Sequence, residues 1–206
     1  MTTHSATSIR QQYKDMTRER ILDAAIDLMA EAGMAPLTVA DVASRAGVTT
    51  RTIYRHFETR ERLIEAVWPR MQARVRSRGF PRTADEIIAT PAYLFPQFDE
   101  HANLVRASAF SDAGLEVRLR ANDERTAAAQ ACVADALPAL PADVARRRAA
   151  VIQLLDSAYC WAVLRDFWGF DGAEAGRAAS EAIAILLGRA AADGAPMQML
   201  TEGEQP

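Results

Sequence analysis

The chain has 206 residues, half of them hydrophobic and a quarter charged, with a formal net charge of −3. That length and apolar content suit one or two packed domains and exclude wholesale disorder. No apolar run approaches the ~20 residues that a membrane span requires. The small net charge conceals an asymmetry: residues 1–80 hold 13 Lys+Arg against 9 Asp+Glu, whereas residues 81–206 hold 11 against 18. A basic first third on an acidic body points to a module that meets a polyanion, carried by one that does not.

Helical periodicity recurs from Thr17 to Ala192 and no alternating strand pattern appears, so the chain is expected to be all-α. Residues 1–16 read as a flexible arm without signal-peptide character, and 193–206 as a flexible tail. Thr17 is expected to cap a first helix whose apolar stripe is Ile21, Ala25, Leu28, Met29 and Ala32, closed by Gly33. Thr38-Val39-Ala40-Asp41 is a capping box that opens a short second helix, stopped by Gly47. Thr49 caps a third helix running through Ile53 and Phe57. Two short helices meeting at a glycine turn are a helix-turn-helix pattern.

At about 100° per residue, Ile53 and Phe57 share the inward side of the third helix. Arg51 and Arg55 fall opposite, with Thr52 beside them, Tyr54 on the flank and no acid before Glu58. Guanidinium groups pair bidentately with guanine, and hydroxyls and helix N-termini suit phosphates, so this face is expected to read DNA.

Thr38 through Glu61, and above all the segment Ile53-Tyr54-Arg55-His56-Phe57-Glu58-Thr59-Arg60-Glu61, resembles the DNA-binding segment of the tetracycline-repressor-like (TetR) family. The helix ending Leu28-Met29-Ala30-Glu31-Ala32-Gly33 resembles that family's first helix. The resemblance implies a homodimer that places each third helix in a major groove of a double-stranded operator, and a C-terminal domain that binds a small effector. Carried onto this chain, it implies base contacts from Thr50, Arg51, Thr52 and Arg55. Phosphate or base contacts would come from Tyr54 and His56, and phosphate contacts from Thr38 and Arg60, with Thr49 also counted among the DNA-binding residues.

A fourth helix starts near Thr59, with Leu63, Ile64, Val67 and Met71 inward. Trp68-Pro69 is expected to kink or end it, because proline removes a backbone bond and clashes with the preceding turn. Gly79 and Pro81 mark the expected boundary between a DNA-binding domain, 17–80, and an effector and dimerisation domain, 81–192. Thr83-Ala84-Asp85-Glu86 opens the second domain with another capping box, and Pro91 and Pro96 are expected to break its first helix. Asp99-Glu100-His101 lacks metal-ligand spacing, so neither metal nor cofactor is expected. Candidate pocket aromatics are Trp68, Phe95, Phe98, Phe110 and Trp161.

A long Ala-rich helix ends near Leu137-Pro138. From Ala149 to Leu164 the chain is apolar nearly all round, and the helix at Gly172 to Ala192 presents small residues. Such surfaces must be buried, and the expected dimer contacts are Ile152, Leu155, Tyr159, Ala179, Ala182, Ile183 and Leu186. Cys132 and Cys160 read as buried free thiols of a cytoplasmic protein. No nucleophile–base set, carboxylate pair or phosphate loop is visible, so the chain is not expected to be an enzyme. The expectation is a ligand-responsive repressor; the alternative is an all-helical small-molecule binder without DNA binding.

Overall fold

The computed structural model describes residues 9–32 and 37–189. Among them the chain forms eleven helices and no strand. In order these are α1 (Ile9–Ala32), α2 (Val39–Ala46), α3 (Thr50–Phe57), α4 (Arg60–Arg74), α5 (Ala84–Glu100), α6 (Ala102–Phe110), α7 (Asp112–Arg120), α8 (Asn122–Ala136), α9 (Ala142–Leu155), α10 (Ala158–Trp168) and α11 (Gly172–Leu186). None is long and apolar enough to cross a membrane. The expected helix stop at Gly33, the segment before Ile9 and the tail 193–206 lie outside the described residues.

The chain divides into two compact units, and the division is not a single cut near residue 80. The first unit takes the chain up to Gly79 and then Gln97–Asp123; the second takes Phe80–Pro96 and everything from Glu124. The core of the first unit shows why. Ile21, Ile26 and Met29 of α1 pack with Val42, Ile53, Phe57, Leu63, Ile64 and Val67, and Leu104 of α6 and Ala113 and Val117 of α7 belong to the same cluster. The first unit therefore draws part of its core from what the sequence assigns to the effector half. At Gly114 an added Cβ would collide with the backbone carbonyls of Ala107 and Ser108, so only glycine lets the start of α7 fold back on α6 this closely.

Local signals set most helix ends. Thr38, Thr49 and Thr59 each accept a hydrogen bond from the backbone N–H three residues on. Thr83 and Glu86 form the reciprocal box: the Glu86 N–H donates to Thr83 Oγ1, and the N–H groups of Arg82 and Thr83 donate to Glu86 Oε2. Thr17 is not a cap. Its hydroxyl donates to the Tyr13 carbonyl at 2.8 Å inside α1, which has already begun at Ile9. Such back-bonding within a helix is the other use a threonine hydroxyl finds. Nor do the prolines end their helices. Pro69 lies within α4, which runs on to Arg74, and Pro91 and Pro96 lie within α5. The two prolines of α5 sit where α11 comes closest. An added Cβ at Gly176 would lie 2.6 Å from the Pro91 carbonyl oxygen, and one at Gly172 would collide with that of Phe95.

The second unit has its own core, from Ala84 and Ile87 of α5, Ala129, Cys132 and Val133 of α8, Ala149 and Ile152 of α9, and Ile183 and Leu187. The continuous helix expected from Ala149 to Leu164 is broken after Leu155. Ser157 caps α10, accepting from the Cys160 N–H and donating to the Leu154 carbonyl. This core takes up several of the expected dimer contacts. Ile152, Ala179 and Ile183 are buried inside one chain, and Leu155 and Leu186 pack against the same core. Ala182 is half-buried, and of the seven only Tyr159 is exposed. Apolar side chains that stay outside lie elsewhere: Val151 and Leu154 on α9, Tyr159, Val163 and Phe167 at four-residue spacing on α10, and Ile185 on α11. A helix apolar all round has no phase in its sequence, so the side that its own chain covers cannot be read from the pattern.

Candidate nucleic-acid interface

The interface is built on the turn between α2 and α3. Gly47 adopts φ +62°, and its N–H bonds back to the carbonyls of Ala43 and Ser44. This is the left-handed conformation that glycine adopts without strain. The Val48 N–H follows, donating to the Ala43 carbonyl at 3.0 Å. Ala43 and Val42 bury themselves on one side of the turn and Ile53 and Phe57 on the other, which fixes the roll of α3 about its axis.

With Ile53 and Phe57 inward, Thr50, Arg51, Tyr54 and Arg55 are exposed and Thr52 and His56 are partly covered. Thr49 and Thr52 are committed to the helix start: their hydroxyls lie 3.0 Å apart, and the Thr52 N–H donates to Thr49 Oγ1. The remaining backbone N–H groups of this turn point out of the N-terminus, where an anion is favoured. The Thr38 hydroxyl is likewise held, accepting from the Asp41 N–H and donating to the Asp41 carboxylate.

The arginines fall into two groups. Arg45 is tied to Glu31, Arg70 reaches Asp23 at 2.8 Å, and Arg74 reaches Asp23 at 2.9 Å and Asp27 at 3.5 Å. These pairs clamp α2 and α4 to α1. Arg51 and Arg55 form no ion pair among the described residues, so both guanidinium groups are available. Arg60 is not. It donates to both carboxylate oxygens of Glu116, at 2.6 and 2.8 Å, and to the Leu37 carbonyl at 3.3 Å. The fork-to-fork geometry favours the charged form on each side. The Arg60 hydrogen bonds hold the Glu116 carboxyl below its usual range, and Glu116 raises Arg60. Arg60 thus joins α4 to α7, in place of the free phosphate grip expected from the sequence.

His56 sits between the two faces. Its Nδ1 is buried with no hydrogen-bond partner among the described residues. Burial, then the charges of Arg55, Lys14 and Arg18, lower its pKa, so the ring is neutral at pH 7. Arg18 of α1 lies over the Phe57 ring, 4.8 Å from its centre, in a cation–π contact. With His56, Glu58 and Arg62 it lines an open groove of about 470 Å³ beside α3. Glu58 ends α3 at φ +62°, and its N–H donates to the Tyr54 carbonyl at 2.7 Å. That conformation is costly for a residue with a Cβ. Nothing in the sequence marks it, because glutamate carries no turn signal.

The segment that builds this geometry is what known proteins share. Residues 21–67 match the family model of bacterial regulatory proteins of the tetR family. Through these residues the chain is similar to tetR-family regulators. Over 103 residues it is 39% identical to the HTH-type transcriptional regulator AqdR of Rhodococcus erythropolis, a match covering 48% of this chain and 50% of AqdR. Over 69 residues it is 39% identical to the HTH-type transcriptional repressor Rv3405c of Mycobacterium tuberculosis, covering 32% and 37%. The chain thus spans half or less of the length of these relatives. Among solved structures it is similar to NalD, the secondary repressor of the MexAB-OprM multidrug efflux pump in Pseudomonas aeruginosa, with TM-score 0.57 and 18% identity over 83% of this chain and 95% of NalD. A transcriptional regulator from Rhodococcus sp. Rha1 gives TM-score 0.53 at 20% identity, over 87% and 99%. These two likenesses take in the helices beyond residue 67 and concern the fold alone.

The pocket aromatics chosen from the sequence do not gather in one unit. Trp68, Phe98 and Phe110 belong to the first unit and Phe95 and Trp161 to the second. Phe95 and Trp161 are fully buried, whereas Phe110 is 47% exposed.

Proposed function

We propose that this chain is a sequence-specific DNA-binding transcriptional regulator, a ligand-responsive repressor that binds a palindromic operator as a homodimer. The observation that carries the reading is the outer face of α3. It offers two guanidinium groups without an ion pair among the described residues, a threonine and a tyrosine. It does so on the second helix of a helix-turn-helix in which Arg45, Arg70 and Arg74 are already engaged. Arg51 and Arg55 are the base-reading candidates. Tyr54, Thr50 and the amides at the start of α3 suit phosphates.

A dimer supplies the second half-site. The exposed apolar face formed by Val151, Leu154, Tyr159, Val163, Phe167 and Ile185 is of the kind that a second subunit covers, and a second copy of this chain is the occupant we assign to it. A palindrome with half-sites about one helical turn apart then follows from two-fold symmetry.

The test is a titration of the chain against DNA from upstream of its own gene and against random duplex of equal length, across a range of salt. Binding through phosphates alone would show equal affinity for the two and a steep salt slope. A site-specific regulator retains a large preference for one fragment at every salt concentration, and an absence of any such preference would overturn the reading.

A further inference from the structure

Only the second half of α1 is packed. Its buried side begins at Ile21 and continues through Ala25 and Met29, whereas no described side chain from Ile9 to Arg20 is buried. About 18 Å of helix, at 1.5 Å per residue, thus runs on beyond the core. The match to the tetR family model also starts at residue 21, so this extension lies outside the shared segment.

The polarity of α1 reverses at the same boundary. At about 100° per residue, Lys14, Arg18, Ile21 and Ala25 fall along one side, and Ile9, Tyr13 and Met16 along the opposite one, all three exposed. The inner side therefore changes from apolar to cationic. A helix that merely ran on into solvent would have no reason to turn its cations inward. Here they overhang the end of α3. The Arg18 guanidinium lies over the Phe57 ring, 4.8 Å from its centre. The charges of Lys14 and Arg18 reach His56, as does that of Arg55. Arg18 also lines the groove that passes His56 and Phe57 to Arg62 of α4.

Lys14, Arg18 and Arg55 thus form a cationic rim, none of them in an ion pair among the described residues. Asp15 accepts from Gln11 at 2.8 Å, and Glu65 is paired with Arg62 at 3.0 Å. Like charges gathered about one imidazole repel one another, and a polyanion removes that cost. The rim is continuous with the outer face of α3 through Arg55. A duplex seated on Arg51 and Arg55 carries closely spaced phosphates along both strands, so its backbone is the polyanion that meets the rim.

We propose that the extension of α1 is a second DNA-contacting element, in which Lys14 and Arg18 bind backbone phosphates beside the bases that α3 reads. The proposal rests on the DNA-binding reading above and adds contacts that α2, α3 and α4 do not supply. Such contacts carry no base preference; they fix the register and orientation of the reader.

The experiment is a mobility-shift titration of wild type, Lys14→Gln, Arg18→Gln and Arg20→Gln on the upstream duplex and on random duplex, across a range of salt. Arg20 is exposed on the opposite side of α1, so its loss changes the net charge equally without touching the rim. Lys14→Gln and Arg18→Gln should each weaken binding several-fold on both duplexes at low salt. Each should also lower the salt slope by about 0.9, the share of one phosphate, while Arg20→Gln keeps the wild-type slope. Arg18→Gln also gives up the contact with Phe57, so Lys14→Gln decides the matter if Arg18→Gln lowers thermal stability. Unchanged slopes, with the preference for the upstream duplex retained, would overturn the arm and leave the DNA reader standing. An equal drop with Arg20→Gln would reduce the effect to bulk charge and overturn the arm as well. A lower slope with Lys14→Gln but not Arg20→Gln, on a wild type without preference for the upstream duplex, would support the arm and remove the sequence-specific reading. Wild type that binds neither duplex would overturn both. A dimer that dissociates in Lys14→Gln, seen by sedimentation without DNA, would give the extension to a second copy of the chain and overturn the phosphate contacts.

Discussion

The outward faces of α3 and of α10 are both left uncovered by their own chain, and they are opposite in chemistry. On α3 the exposed groups are cationic and hydroxylic, on a helix whose inward side is fixed by two large residues, Ile53 and Phe57. On α10 they are Tyr159, Val163 and Phe167, on a helix apolar on its inner side as well. The contrast shows where sequence pattern is informative. A strongly two-sided helix announces its outer face, and a helix that is apolar throughout hides it. It also separates two ways of using charge: arginines that hold helices together and arginines left for a partner.

The largest effect should come from the hidden side of this comparison. Ile183 is fully buried in the core of the second unit. Ile183→Arg places a charge there without a partner and should unfold the unit, by more than ~4 kcal/mol. Val163→Arg, on the uncovered face, should leave each chain folded and split the proposed dimer. Circular dichroism and sedimentation together decide the matter: a folded Ile183→Arg monomer would return the interface to α11's inner side.

Next in size is the pH dependence set by Asp156. Its folded-state pKa is raised from 3.8 to about 7, so the folded chain holds a proton that the unfolded chain has lost. Stability should accordingly be greatest below about pH 4, fall as pH rises towards 7, and level off above it, a change on the order of a few kcal/mol. Other carboxylates pull the opposite way, since Asp23 and Glu116 are lowered by their arginines. The clean observable is therefore the difference between wild type and Asp156→Asn in chemical denaturation at several pH values. A difference that stays flat from acid to neutral pH would place Asp156 in water.

The arginines should divide in the same manner. Arg51→Ala or Arg55→Ala is expected to cost ~1–3 kcal/mol of operator affinity with little change in stability, if either reads guanine. Arg70 supplies half of the clamp on Asp23. Arg70→Ala should therefore lower stability instead, by about 1 kcal/mol. Equal loss on operator and random DNA in the Arg51 and Arg55 variants would reduce them to phosphate contacts.

The smallest effect is expected at Arg60–Glu116. This pair is about one-third exposed on each side. Glu116→Gln should cost at most ~1 kcal/mol of stability, because water screens the pair. Its interest lies in affinity: releasing Arg60 frees a guanidinium beside the interface, and DNA binding should strengthen slightly at low salt. Mobility-shift titrations at two salt concentrations would show it, and weaker binding would mean that the pair is needed to position α4.

Much of the interface was legible in the sequence because its signals are local. Thr38, Gly47, Thr49 and Thr59 act on backbone groups within four residues, and Ile53 and Phe57 define α3's buried side by their spacing alone. What stayed hidden depends on partners distant in the chain. Pro91 and Pro96 look like breaks, yet α5 continues through both, against the glycines of α11. Asp156 and Ser157 interrupt an apolar run too uniform to reveal a boundary. Arg60 looks available until Glu116, 56 residues later, is placed beside it. The partition of Leu104, Ala113 and Val117 into the first unit's core has no local signature at all.

That partition bears on how such a reader can be reused. Recombination and engineering both favour units that can be lifted out with one cut and spliced onto another sensor. Here a cut after Gly79 would carry away every residue of the DNA-facing helices and leave behind α6 and α7, and with them Leu104, Ala113, Val117 and the partner of Arg60. The transplanted piece would expose the side of α1 that α6 covers and lose one of its clamps. A chimaera with a foreign sensor must therefore bring its own equivalents of α6 and α7, matched to α1 and α4. The sequence of the reader and the sequence of those two helices are bound to change together.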